Sequence, residues 1–299
     1  MIQHTPRILF IGVGAMGNPM AACLLRAGYQ VTVYDTQAAR MQAFVVEHGG
    51  EQTTTPPAAA AHADIVIMIL PNSRVVESLL FEAEGIAGQL KPGTVVIDMT
   101  SGVPSVTQAL AERLSKQGVT LFDAPVSGAV ARAVSGELTI MVGGSDVAVL
   151  PVMPVLQAMG TVTRTGPVGS GDAMKALNNL VSCGGYLIGI EALLIGSKFG
   201  LDADMMVDVL NASTGMNNST QKKFKQYVLS RKFNTGFPIH MMLKDLDNAV
   251  GIAHEQSMPA PFSQLCRDLW AAASTSLGPQ VDHTALALFS EQLGGGEIK

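Results

Sequence analysis

Along the first half of the chain, short runs of apolar and largely β-branched residues recur between longer stretches with helical spacing. Arg7-Ile8-Leu9-Phe10-Ile11 reads as a strand, Asn18 to Ala27 as a helix stopped in left-handed geometry at Gly28, and Val31-Thr32-Val33-Tyr34 as the next strand. Further runs stand at Ile65 to Leu70, Thr94 to Asp98 and Val119 to Phe122, each preceded by a helical or turn segment such as Lys91-Pro92-Gly93. Runs apolar at nearly every position belong to strands covered on both faces, so the alternation predicts a parallel sheet with helices on both sides. Leu138 to Val142 and Thr161 to Thr163 extend it, with a helix over Leu150 to Met159 between them.

Beyond Gly171 the texture changes. Asp172 to Phe199 is mostly apolar, too long for a strand, and carries Gly184, Gly185, Gly189 and Gly196, which suits a buried helix joining two halves. The rest lacks β-branched runs and shows helical spacing over Ala203 to Asn211, Asn218 to Leu229, Ile239 to Ser257, Phe262 to Ala273 and Thr284 to Gln292. The pattern therefore predicts a doubly wound α/β domain over residues 1–166, followed by an all-α domain over residues 167–299. The glycine-rich tail from Gly294 to Lys299 is expected to fray.

A chain of 299 residues with 47% hydrophobic content is large and apolar enough to support two packed domains. Its net charge of −5, with no clustered basic run, argues against nucleic acid or an anionic membrane surface as partner. Cys23, Cys183 and Cys266 are odd in number and far apart, which predicts neither a disulfide framework nor a metal site but buried thiols in a reducing compartment. The polar start from Met1 to Arg7 does not read as a secretory signal, and the expectation is that no apolar stretch reaches the roughly 20 residues that span a bilayer. A cytoplasmic protein is the expectation.

The first candidate site is Gly12-Val13-Gly14-Ala15-Met16-Gly17, which follows a predicted strand and opens a predicted helix. In that context Gly12 permits the turn, Gly14 lets backbone amides approach a pyrophosphate, and Gly17 lets the helix pack on the strand, while the helix N-terminus favours the phosphate charge. Asp35 stands about 20 residues on, where a carboxylate accepts from ribose hydroxyls and repels a 2′-phosphate, so the cofactor reads as NAD rather than NADP. Arg40 reads as a solvated helix charge. Leu70-Pro71-Asn72 and Asp98-Met99-Thr100-Ser101 close strands at their carboxyl ends, the ligand side of such sheets, which makes Leu70, Pro71 and Thr100 candidate cofactor contacts. As helix caps, Thr100 and Ser101 would be equally at home.

A second group of residues supplies chemistry. In Asp123-Ala124-Pro125-Val126-Ser127-Gly128-Ala129, a hydroxyl and exposed amides at the end of a strand can grip a carboxylate, although a plain tight turn fits the segment as well. Gly169-Ser170-Gly171 opens a helix that carries Lys175 about one turn in, near the positive end of the helix dipole, where a lysine is expected to lose its proton more readily than in water. Such an amine can accept a hydroxyl proton as hydride leaves the carbon. Asn179 follows four residues later on the same face. The competing reading pairs Lys175 with Asp172 on a solvated face. Phe237 and the segment Lys244-Asp245-Leu246-Asp247 place an aromatic ring, a cation and two carboxylates in the second domain, either for the cofactor or as a surface charge cluster.

Gly12 to Ala21, Asp123 to Gly128, Gly169-Ser170-Gly171 with Lys175 and Asn178-Asn179, and Lys244-Asp245-Leu246 stand in an order that resembles the β-hydroxyacid dehydrogenase family. That family includes 3-hydroxyisobutyrate, tartronate semialdehyde and 6-phosphogluconate enzymes. The resemblance implies a Rossmann-type domain followed by a helical one, and hydride transfer between NAD and a small β-hydroxy acid. It also implies Lys175 as acid/base, with Ser127, Gly128 and Ala129 at the substrate carboxylate and Asn179 and Asp247 beside the substrate. Lys244 and Phe237 would stand at the cofactor, in homodimers or homotetramers formed through the helical domain. Ala129 departs from the family's second glycine, Arg132 from its smaller residues, and Thr214 to Asn218 from the 3-hydroxyisobutyrate enzymes. Retention of the lysine argues against imine reduction. A dinucleotide-binding sensor without catalysis, or a reductase of aldehyde acids or imines, is the alternative function.

Overall fold

The computed structural model describes residues 5–298, so the part of the polar start before Thr5 lies outside it, as does Lys299. Nine strands among the described residues form one sheet: β1 (Arg7–Ile11), β2 (Gln30–Tyr34), β3 (Glu51–Gln52), β4 (Ile65–Met68), β5 (Val95–Asp98), β6 (Thr120–Asp123), β7 (Val126–Ser127), β8 (Leu138–Gly143) and β9 (Gly160–Gly166). Their order is β3-β2-β1-β4-β5-β6-β8-β7, with β9 on β8. Pairing is parallel from β3 through β6, as the buried runs predict. It then turns: β8 lies antiparallel to β6 and β7, and β9 parallel to β8. The short β3 and β7 escape the hydropathy pattern, because two residues are too few to show a period.

Helices α1 (Gly17–Arg26), α2 (Ala38–His48), α3 (Pro56–Ala60), α4 (Ser73–Phe81), α5 (Pro104–Ser115), α6 (Ala129–Ser135), α7 (Asp146–Val149) and α8 (Met153–Gln157) alternate with the strands. Residues on β1 show why both faces must be covered. Ile8 and Phe10 enter one apolar cluster with Val31, Val33 and Ile67, while Leu9 and Ile11 enter another with Val66, Met68 and Val96, all buried. The helix expected over Leu150 to Met159 is broken into α7, a 3-10 turn at Leu150–Val152 and α8. Pro151 and Pro154 each remove an amide donor, so an unbroken helix cannot run through.

α9 (Ser170–Phe199) starts in this first unit and continues into the second, which holds α10 (Ala203–Asn211), α11 (Asn218–Lys222), α12 (Ile239–Glu255), α13 (Pro261–Leu277) and α14 (Leu286–Gly294). The helix expected over Asn218 to Leu229 changes to π-helical winding at Phe224–Leu229. The chain divides into compact units between Lys175 and Ala176, later than residue 166, because the first turn of α9 is fastened to strand ends of the first unit. The second unit has its own core around Tyr186, Ile190, Leu193, Phe224 and Trp270. Tyr186 donates its hydroxyl to Thr284 O at 2.6 Å.

Two expectations are corrected here. α9 is the one helix among the described residues long and apolar enough to cross a membrane, and half of its most apolar window is buried inside the protein. Its apolarity supplies the helical core. The tail is also docked rather than frayed from Gly295 to Ile298. Gly295 closes α14 in left-handed geometry, Ile298 is buried in the helical core, and its amide donates to Glu291 Oε1 at 3.1 Å. Glu291, itself buried, accepts from the two terminal guanidinium nitrogens of Arg231 at 2.6 and 2.9 Å. A glycine run hides this tie from sequence reading, since the anchoring residue is a single isoleucine. Ile298→Ala should cost about 2–4 kcal/mol, as truncation of buried isoleucines does. Chemical denaturation of the variant against the parent measures it, and a change below about 0.5 kcal/mol would mean the tail is not held.

Candidate active site

The turn after β1 needs its glycines for separate reasons. Gly12 has φ of +96°, and a Cβ there would lie 2.3 Å from the Ile69 carbonyl oxygen. At Gly17 a Cβ would meet the Gly12 carbonyl oxygen at 1.8 Å, so the turn and α1 are in backbone contact. A Cβ on Gly14 would meet nothing nearer than Arg40 Nη1 at 3.5 Å, so a ligand can approach the backbone there. Gly14, Ala15 and Arg40 line an open hollow of about 430 Å³.

Asp35 is buried at the end of β2, where Oδ2 accepts Val13 N–H at 3.1 Å and Oδ1 accepts Gln37 N–H at 2.9 Å. Arg40 is not simply solvated: its guanidinium lies 3.6 Å from the same carboxylate. Each oxygen of Asp35 keeps lone pairs beyond these bonds, the donor-free acceptor set that a ribose diol requires. The residues thus fit NAD, whose pyrophosphate would meet the amides after Gly12 and whose ribose would meet Asp35. Leu70 and Pro71 stand at the carboxyl end of β4, and Leu70 N–H donates to Thr100 Oγ1 at 3.0 Å. Thr100 is buried and its own amide donates to Asp98 Oδ1, so its hydroxyl oxygen and amide tie the end of β4 to β5.

Ser127 is partly buried and sits in β7, paired with Thr139 of β8, so a short ladder and not a loose turn holds it. Gly128 has φ of +142°, and a Cβ on it would reach Arg132 Cβ at 2.9 Å. Ala129 follows with φ of +56°, a region that costs a non-glycine residue about 1–2 kcal/mol. The second glycine typical of the family would avoid that strain. Arg132 is exposed, its stem against Gly128.

Three buried carboxylates gather at the first turn of α9. Asp123, at the end of β6, accepts Gly169 N–H at 2.7 Å on Oδ1 and Asp172 N–H at 2.8 Å on Oδ2, with a further bond from the Gly171 amide. Asp172 accepts Gly102 N–H at 3.0 Å and the Thr107 hydroxyl at 2.7 Å. Asp98 completes the group. Burial raises the pKa of Asp123, and burial together with the charges of Asp123 and Asp98 raises that of Asp172 well above the usual carboxylate range. Asp172 therefore does not lie on a solvated face, as the alternative reading of Lys175 required. Lys175, three residues on, is half-buried on α9.

In the second unit, Asn179 is buried and its Nδ2 donates to Asp245 Oδ2 at 2.5 Å, while Lys244 Nζ lies 3.2 Å from Asp245 Oδ1. The acid joined to Asn179 is thus Asp245. Asp247, the one singled out from the sequence, is exposed and accepts Arg267 Nε at 2.7 Å. Two positions apart on a helix point to opposite sides, and only burial distinguishes which carboxylate faces inward. Phe237 packs its ring edge-on to His283 at 5.9 Å, and burial pushes the pKa of that histidine down to about 4.

A doubly wound sheet with a glycine turn, a buried acid at the end of β2, and a lysine near the start of a capped helix define a dinucleotide-binding oxidoreductase. Comparison with known proteins refines the class. The family model described as the NAD binding domain of 6-phosphogluconate dehydrogenase matches residues 7–169, and that described as NAD-binding of NADP-dependent 3-hydroxyisobutyrate dehydrogenase matches residues 169–289. The 2-(hydroxymethyl)glutarate dehydrogenase of Eubacterium barkeri is 34% identical, over 99% of both chains. A 3-hydroxyisobutyrate dehydrogenase of Pseudomonas aeruginosa is also 34% identical, over 88% of this chain and 91% of its own. Among solved structures, the Mycobacterium tuberculosis 3-hydroxyisobutyrate dehydrogenase with L-serine superposes with a TM-score of 0.87 at 28% identity, covering 96% of this chain and 99% of its own. The chain belongs to the β-hydroxyacid dehydrogenase family, and it is an NAD-dependent oxidoreductase.

The carboxylate cluster has a pH signature. A carboxyl whose folded pKa is raised above its unfolded value near 3.9 supports stability below that value and loses it as pH rises through the folded pKa. Asp172→Asn removes the charge and keeps an acceptor for Gly102 N–H. Relative to the parent, the variant should gain in Tm as pH is raised from about 4.5 to 8.5. Parallel melting curves at the two ends check this, and a constant or opposite difference would show that Asp172 is not held uncomfortably charged.

Proposed function

We propose that the protein oxidises a small β-hydroxy acid, or reduces the corresponding aldehyde acid, with Lys175 as general acid/base. The observation that carries the reading is the half-buried lysine on the second turn of α9, above a first turn locked by Asp123 and Asp172. Bound NAD supplies the hydride acceptor. Lys175 Nζ takes the substrate hydroxyl proton as the carbon is oxidised and returns it in reduction. The Ser127 hydroxyl and the Gly128 amide hold the carboxylate, and Asn179, one turn beyond Lys175, steadies the substrate oxygen. The relatives' names point to hydroxy acids that carry a free carboxylate. A cytoplasmic location accords with three buried free thiols.

Lys175→Ala should lower kcat by at least about 10³-fold, while NAD affinity by titration calorimetry stays within about threefold. Substrate class is read from nicotinamide absorbance with L-serine, 3-hydroxyisobutyrate, glycerate and threonate, each with NAD and NADP. Turnover retained by the alanine variant would remove the lysine from the chemistry.

We also propose that a second copy of the chain covers α9. Val181, Ile188 and Ile195 recur at intervals of seven and are 75%, 56% and 70% exposed, a continuous apolar stripe on one side of a helix. Phe262 and Leu265 of α13, also exposed, widen it, with Phe262 against Gly184. A stripe of this kind suits a two-fold contact of the surface with itself. Sedimentation velocity at about 10 μM should show a dimer or larger species, and Ile188→Asp should shift it toward monomer; a monomeric parent would overturn the assignment.

A further inference from the structure

The geometry points to Asp123 as the positioning residue of the site: from the end of β6 its carboxylate captures the opening amides of α9 and thereby sets where Lys175 stands relative to the Ser127–Gly128 turn. This inference rests on the reading of Lys175 as acid/base. The first amides of any helix lack intrahelical partners and are ordinarily left to water or to a local cap. Here the partner comes from a strand 46 residues upstream, through Gly169 N–H on one oxygen and Asp172 N–H on the other. Both bonds are short and charge-assisted, the class that holds geometry best.

The surrounding glycines show how closely the chain is built around this one group. A Cβ on Gly171 would lie 2.7 Å from Asp123 Oδ2, and one on Gly143 would lie 2.6 Å from Oδ1. Any side chain at either position would evict the carboxylate. Gly169, with φ of +91°, turns the chain so that its amide faces the strand end. The Gly-x-Gly opening of the lysine helix thus receives Asp123, Gly169 through its amide and Gly171 through the space its missing side chain leaves. Asp123 is fully buried, so it touches neither substrate nor cofactor and acts only through what it holds. In one direction, four residues along the chain, lies Ser127; in the other, through the Asp172 amide and one helical turn, lies Lys175. A displacement of about 1 Å at a reacting group can cost about 10²-fold in rate, which is the scale of effect such a tie controls.

The test compares Asp123→Asn and Asp123→Ala with the parent. Asn keeps one acceptor oxygen and Ala none, so kcat is expected to fall at least about 30-fold and at least about 10³-fold respectively, with KM for NAD within about threefold in both. A kcat within threefold of the parent in both variants, or parallel losses in kcat and NAD affinity, would overturn the inference. Hydrogen exchange in the unsubstituted protein decides the same point even if the variants do not fold. The Gly169, Gly171 and Asp172 amides should be protected at least about 10²-fold against open-chain rates, whereas helix-opening amides left to water exchange freely. Exchange of these amides near the open-chain rate overturns the tie. Turnover retained by Lys175→Ala would sink the lysine's role while leaving that protection unchanged, so the two failures are told apart.

Discussion

A carboxylate with no access to water sits where β6 ends, and the opening of the longest helix in the protein is folded onto it. Removing a charge from solvent is expensive unless several donors meet it, and here backbone amides of a turn built for the purpose do so. The consequence reaches along the chain. Gly143 and Gly171 are constrained by it, Gly169 donates its amide to it, Asp172 is turned toward Gly102 and Thr107, and Lys175 inherits its position. Burial raises the pKa of both Asp123 and Asp172, a desolvation cost that the packing and donors around them must offset.

The nucleotide turn works by the opposite device. Where the lysine helix is opened by a buried charge reaching up to its amides, α1 follows a glycine turn whose shape is fixed by close backbone contacts at Gly12 and Gly17, with Asn18 N–H bonded to Gly14 O within the turn. One helix start is held by a distant carboxylate, and the turn before the other is where a dinucleotide's phosphates would bind. Asp35 belongs to the second arrangement: it is tethered by Val13 and Gln37 amides yet retains acceptor capacity. Arg40, at 3.6 Å, moderates its charge without covering it.

Much of this was readable in one dimension. Strands buried on both faces announced themselves as unbroken apolar runs, the fingerprint glycines stood between a strand and a helix, and the lysine followed a Gly-x-Gly opening. What could not be read depended on partners distant along the chain. Asp245 and Asp247 have the same chemistry and stand two residues apart, and only the packing of α12 makes the first a partner of Asn179 and sends the second to Arg267. Nothing local to Thr100 shows that its hydroxyl oxygen accepts the Leu70 amide, a bond that joins the ends of two strands. The tail looked loose because glycines dominate it, although one isoleucine and the Glu291 carboxylate hold it.

By itself the order of residues determined the two-part architecture, the nucleotide turn and the identity of the acid/base candidate, since each follows from local periodicity or from a motif closed within a few residues. Tertiary structure alone decided which carboxylates are buried, what caps the lysine helix and where the sheet reverses direction. Those outcomes rest on contacts between residues tens of positions apart, whose energies depend on burial and distance, and neither quantity is written in local pattern.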